Sequence, residues 1–164
     1  MNMKITHLSI KIEEYNDIAE LSEQDKTLLL KAWDACDSAY APYSKFNVGA
    51  AVLLANGVVV TGNNQENAAS PSGLCAERVA MYYASAQYPG IAMKAIAVAV
   101  KSEVVQLEEP ASPCGSCRQV MAEYENLYQT KLRIILGSPH AKIQILDGIS
   151  SLLPLTFYAE GLKK

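Results

Sequence analysis

No apolar run in this chain approaches the roughly 20 residues that a membrane-spanning helix needs. The N-terminus also lacks a charged start followed by the apolar core, roughly 7–15 residues long, of a secretory leader. Both absences predict a cytoplasmic protein that does not engage a membrane. Lys and Arg form no cluster, the formal charge is −3 and the pI is near 5.4. Tracking a polyanion depends on neutralising phosphates, so nucleic-acid polymers are excluded as partners and a small neutral molecule fits better. Histidine is scarce: His7 and His140 are the two present, neither stands at metal-ligand spacing from a cysteine, and no function is assigned to them. Internal repeats, low-complexity tracts and long Gly/Ser/Pro linkers are absent. What remains is 164 residues, 50% hydrophobic and 19% charged, enough for one domain with a full core and no second one.

Of the four cysteines, three fall in two short motifs, Cys75-Ala76-Glu77-Arg78 and Pro113-Cys114-Gly115-Ser116-Cys117. A structural zinc takes four protein ligands, whereas a catalytic zinc takes three and leaves its last position to water. Cys75, Cys114 and Cys117 therefore read as the ligands of a catalytic Zn²⁺, one per subunit. Glu77, two residues after the first ligand, is placed to exchange protons with a water and poorly placed to ligate, so it reads as the general base. Both motifs stand at predicted helix starts, where free N–H groups favour thiolate over thiol. Three thiolates leave the centre net negative, which weakens its ability to acidify water unless a nearby cation offsets the charge; Arg78 is the candidate. Cys36 offers the non-enzymatic alternative, a closed four-cysteine structural site, but its place on an apolar stripe with Trp33 and Tyr40 reads as a packed core thiol. Thiols at metal-like spacing also suit a reducing compartment.

Leu8, Ile10 and Ile12 alternate with Ser9, Lys11 and Glu13, predicting a short strand at a sheet edge, so residues 1–20 read as an edge-strand extension to a domain over residues 21–164. Ser22 is the expected N-cap of a helix running to about Tyr40, stopped by Pro42. Val48 to Leu54 and Val58 to Thr61 flank Asn56-Gly57, the signature of a two-residue hairpin turn. Helices are expected over Cys75 to Gln87 and Gly115 to Tyr124, and strands over Ala95 to Val100, Leu132 to Leu136 and Lys142 to Leu146. Glu108 to Pro113 reads as an exposed loop leading into the second metal motif. Strands apolar on both faces, connected through helices, imply a sheet covered on both sides. The expected class is α/β, a three-layer α/β/α arrangement with a central mixed sheet of about five strands.

Longer segments sharpen the reading: Phe46-Asn47-Val48-Gly49-Ala50-Ala51, Asn64-Gln65-Glu66-Asn67-Ala68, Cys75-Ala76-Glu77-Arg78, Pro113-Cys114-Gly115-Ser116-Cys117-Arg118-Gln119-Val120 and the tail Leu152-Leu153-Pro154-Leu155-Thr156-Phe157. Together they resemble the small, homotetrameric type of cytidine deaminase, over about Leu21 to Leu162. The resemblance implies zinc-dependent hydrolytic deamination of cytidine and 2′-deoxycytidine to uridine and 2′-deoxyuridine in pyrimidine salvage. Water activated at the zinc would attack C4 and ammonia would leave, with Glu77 carrying protons from the water to N3 and to the departing amine. It also implies that Phe46 packs against the pyrimidine, that the Ala76 N–H meets the base's carbonyl, that Asn64 and Glu66 bind the ribose 3′-hydroxyl, that Arg78 interacts with the thiolates and that Phe157 reaches a neighbouring subunit's site. Asn64 and Glu66, two apart in an extended segment, can point to one side and suit a sugar hydroxyl on their own account. One departure is Ser70, where the family usually carries tyrosine, which leaves open a different nucleoside or a nucleoside antibiotic as substrate.

Overall fold

The computed structural model describes residues 3–102, 104 and 107–158. Among them, six strands form one sheet: β1 (Glu13–Tyr15), β2 (Phe46–Leu54), β3 (Val59–Asn63), β4 (Met93–Ser102), β5 (Arg133–Leu136) and β6 (Ile143–Asp147), in the order β1-β6-β5-β4-β2-β3. Only β4 and β5 run parallel; every other neighbouring pair is antiparallel. The helices are α1 (Glu23–Ala35), α2 (Ala76–Gln87) and α3 (Gly115–Tyr128). The expected mixed α/β sheet is present, with six strands instead of about five when the edge strand β1 is counted with the sheet.

Alternation of side chains along β4 builds both layers at once. Ala95, Ala97 and Ala99 pack with Leu28, Leu29, Ala32 and Cys36 of the α1 side, while Ile96 and Val98 pack with Ala80, Met81 and Ala84 of α2 and Met121 and Ala122 of α3. A central strand buried on both faces reads as a continuous apolar run for this reason. The layering is therefore α1, sheet, then α2 with α3.

Ser22 caps α1 as its sequence predicts, Oγ accepting from the Asp25 N–H at 3.2 Å. The helix stops at Ala35 and passes through a 3₁₀ turn, Cys36–Ser38. Tyr40 lies beyond it, exposed and bridged to Gln65, so the apolar stripe runs only as far as Cys36. Asp25 is buried and receives the Arg133 Nε–H at 3.1 Å, which ties α1 to β5.

The edge strand starts later than the alternation suggests. Glu13 faces Ile145 and Tyr15 faces Ile143; continuing that register, Lys11 would meet Asp147, where β6 ends. Ile12 still lies opposite Leu146, but Leu8 and Ile10 fall past the end of β6, and all three are exposed outside any strand among the described residues. The hairpin also differs in its turn. Gly57 takes φ 85°, Asn56 is not among the residues of positive φ, and Gly57 N–H donates to Leu54 O at 3.0 Å. This is a type I turn closed by a left-handed glycine, not the two-residue turn that Asn-Gly predicts.

Candidate active site

Two helices begin at one point. Cys75 is the N-cap of α2 and Cys114 the N-cap of α3, and neither side chain caps its own helix. Both sulfurs turn instead toward Cys117 in the first turn of α3, and the three Sγ atoms lie within 4.8 Å of one another. Cys75 and Cys114 are 3.8 Å apart, and Cys114 and Cys117 are 3.5 Å apart. A tetrahedral zinc with Zn–S bonds of about 2.3 Å sets its sulfurs about 3.8 Å from one another. The triad thus fits one Zn²⁺ per chain with a ligand position left over.

The surroundings of the triad favour a thiolate at Cys75. Cys75 is held down to about 5, chiefly by a hydrogen bond from Cys117, with Arg78 and Cys114 adding and burial opposing. Cys117 is pushed up by the same hydrogen bond and by burial. Arg78 brings Nη2 to 3.7 Å from Cys75 Sγ. Its Nε is buried without a hydrogen-bond partner, an orphaned donor beside the sulfurs that suits anionic ligands. Glu77 sits in the first turn of α2 at 4% exposure, one of two buried charged residues beside Asp25 among those described. Burial pushes its carboxyl up, and the negative charge of Cys75 adds to that, while its own backbone N–H, Cys117 and Arg78 pull the other way.

Glu77, Cys75 and Cys114 line one wall of a cleft of about 730 Å³. The facing wall comes from Phe46 and Val48 of β2 and from the loop after β3, with Asn64, Glu66, Asn67, Ala68 and Ser70; Ala111 and Ser112 close it from the strap before Cys114. Of the residues expected in a substrate site, Phe46, Asn64 and Glu66 therefore lie here together with Glu77. Ala76 is fully buried under the cleft at the start of α2 and is not in its lining. Phe157 stands outside the cleft at 68% exposure, its carbonyl accepting from Gln119 Nε2 at 2.9 Å.

Asn64 and Glu66 also hold the wall together. Asn64 Oδ1 accepts from Val48 N–H at 2.8 Å and its Nδ2 donates to Phe46 O at 2.9 Å, which fastens the loop to β2 and leaves one amide hydrogen and one lone pair for a ligand. Glu66 Oε2 accepts from the Tyr43 and Ser44 N–H groups at 2.9 and 3.3 Å, and hydrogen bonding, led by the Ser44 side chain, keeps its carboxyl below the usual range. The Tyr43–Ser44 turn is thus part of the cleft, a feature the sequence does not announce because Glu66 binds it through backbone N–H groups that any residue supplies.

Cys36 lies on the other side of the sheet. It is fully buried in the α1 layer, Sγ donates to Ala99 O at 3.4 Å, and burial pushes its thiol up to about 11. A closed four-cysteine site is therefore not what the chain builds. Cys36→Ser is expected to bind zinc as the unaltered protein does; metal analysis of the purified variant checks this, and loss of the metal would contradict the geometry.

Residues 22–130 match the family described as the cytidine and deoxycytidylate deaminase zinc-binding region. A cytidine deaminase of Halalkalibacterium halodurans is 41% identical over 139 residues, 84% of this chain and 98% of that protein. The crystal structure of cytidine deaminase from Burkholderia pseudomallei superposes with a TM-score of 0.69 at 36% identity, covering 84% of this chain and all of that one. That of the Mycobacterium tuberculosis enzyme gives 0.62 at 35% identity over 80% of this chain and 95% of that one.

Proposed function

Since this chain belongs to the cytidine and deoxycytidylate deaminase family, we propose that it hydrolyses cytidine and 2′-deoxycytidine to uridine and 2′-deoxyuridine with release of ammonia, as a cytoplasmic homotetramer serving pyrimidine salvage. The observation that carries the reading is Glu77, a buried carboxyl lining the cleft in the helix turn next to the three cysteine sulfurs. Zinc held by Cys75, Cys114 and Cys117 would supply Lewis acidity that brings the pKa of water toward neutrality.

Every other step falls to the chain. Glu77 takes a proton from the attacking water, delivers one to N3 so that C4 becomes electron-poor, and delivers one to the leaving amine. Burial favours its neutral form, which strengthens it as the acceptor of the water's proton. Phe46 covers a face of the pyrimidine, and Asn64 and Glu66 take the ribose hydroxyl with the groups their loop contacts leave over. Arg78 offsets the thiolate charge. Exposed Leu155 and Phe157 on the tail support a role for Phe157 in a neighbouring subunit's site. Ser70 lines the cleft with a short side chain, which favours, as a second reading, a bulkier nucleoside as an additional substrate.

Ammonia release by zinc-loaded protein, measured separately with cytidine, 2′-deoxycytidine, cytosine and adenosine, is expected to occur with the first two alone. Silence on all four would overturn the assignment. Light scattering tests the tetramer, and a stable active monomer would remove Phe157 from the site.

A further inference from the structure

Arg118 follows the last thiolate ligand in sequence, yet its guanidinium does not turn to the sulfurs. Nε donates to Pro113 O at 2.8 Å and Nη1 donates to Leu152 O at 2.8 Å. Its backbone N–H meanwhile donates to Cys114 O at 3.0 Å. The carbonyls on both sides of the Cys114 Cα are thus held by one residue, and the φ and ψ rotations of Cys114 between them are held with them. Cys114 is the most exposed of the three ligands and ends the strap that closes the cleft. Pro113, having no N–H, adds no hydrogen bond of its own. The second arm of the guanidinium reaches the tail, where Leu152 and Leu153 pack against the core layer of α2 and α3. A planar fork with fixed donor directions can serve two carbonyls at once, which a lysine ammonium on one stem cannot reproduce.

We propose that Arg118 is a positioning residue that fixes the ligand Cys114 by clamping its preceding carbonyl to the C-terminal tail. Gln119 donates from its side chain to Phe157 O farther along the same tail and is the control for the tail's attachment to α3. The proposal rests on the zinc reading of the three thiolates and not on the identity of the substrate.

The test is zinc release from the zinc-loaded full chain to a chromophoric chelator, with kcat and KM for cytidine and the melting temperature measured alongside. Removal of a group that orients a metal ligand typically costs about 10–100-fold in metal affinity or activity. Arg118→Met is expected to release zinc about 10–100-fold faster and to lose kcat, with KM within about twofold, whereas Gln119→Ala is expected to release zinc at the unaltered rate. Arg118→Lys, which keeps the charge and one donor direction, is expected to fall between, and it carries the test should the methionine variant fail to fold. Guanidinium ion added to a folded Arg118→Ala protein is expected to slow its zinc release. Unaltered zinc release in folded Arg118→Met or Arg118→Lys would overturn the proposal, as would equal acceleration by Gln119→Ala.

Discussion

Glu77→Gln is expected to lower turnover of cytidine by about 10⁴-fold while zinc stays bound and the fold is kept. A single positioned proton-transfer group contributes typically about 10²–10⁴-fold, and Glu77 is asked to act on the water, on N3 and on the leaving amine, which places the loss at the upper end. At roughly 1.4 kcal/mol per factor of ten, that is about 5.5 kcal/mol of barrier. Glutamine matches the shape of the buried side chain, so the cavity at 4% exposure stays filled. The three sulfurs that hold the metal are untouched. An amide, however, has no proton to exchange near neutral pH. Steady-state kinetics with metal analysis of the same sample checks the result. Turnover within tenfold of the unaltered enzyme would remove Glu77 from the mechanism, and loss of zinc would give it a different role.

The chemistry of the site was more legible in the sequence than its walls. Cys75, Cys114 and Cys117 could be found because thiolate ligands require particular side chains at particular spacing, and the N-cap positions of Cys75 and Cys114 follow from the helix starts around them. Central strands were legible as well, since β4 is apolar on both faces wherever two helical layers cover it. Less legible was anything that depends on where a partner ends. Leu8 to Ile12 carry the alternation of a strand, but β6 ends opposite Lys11, short of Leu8 and Ile10. The Asn56-Gly57 turn has the right residues and a different geometry, because Asn56 Oδ1 accepts from the Val58 N–H at 3.1 Å and the positive φ falls on glycine alone. Asn64, Glu66 and Arg118 were visible as polar residues near the motifs, but their main-chain partners were not. Contacts to Val48, Tyr43, Pro113 and Leu152 are made with backbone atoms, which leave no mark in side-chain identity.

Gly49→Ala is expected to destabilise the protein by about 3 kcal/mol, the upper part of the range for an extra methyl forced into a packed core. In a chain of this length that corresponds to a fall in melting temperature of roughly 6–12 °C. A Cβ at position 49 would lie 2.0 Å from Ala32 O and 2.8 Å from Cys36 N, both backbone atoms of the last turns around the end of α1. No side chain can swing aside, so α1 must move as a body away from β2. That movement would disturb the layer formed by Leu28, Leu29, Ala32 and Cys36. It would also reach the cleft, because neighbouring Val48 anchors Asn64 and Phe46 begins the same strand. Gly62 plays the matching part on the opposite face, where a Cβ would lie 2.5 Å from Ala80 N in α2. The hairpin thus brings a helix to closest approach on each side of the sheet, and the α2 contact sets the height of the helix that begins at Cys75. Gly115→Ala is the control for stability, with nothing within 4 Å of its added Cβ and an expected change within about 0.5 kcal/mol. Thermal and denaturant unfolding of the two variants decides the matter: equal stability would mean that α1 is not held against β2 at Gly49, and the Asn64 anchor would then lose its rigid support.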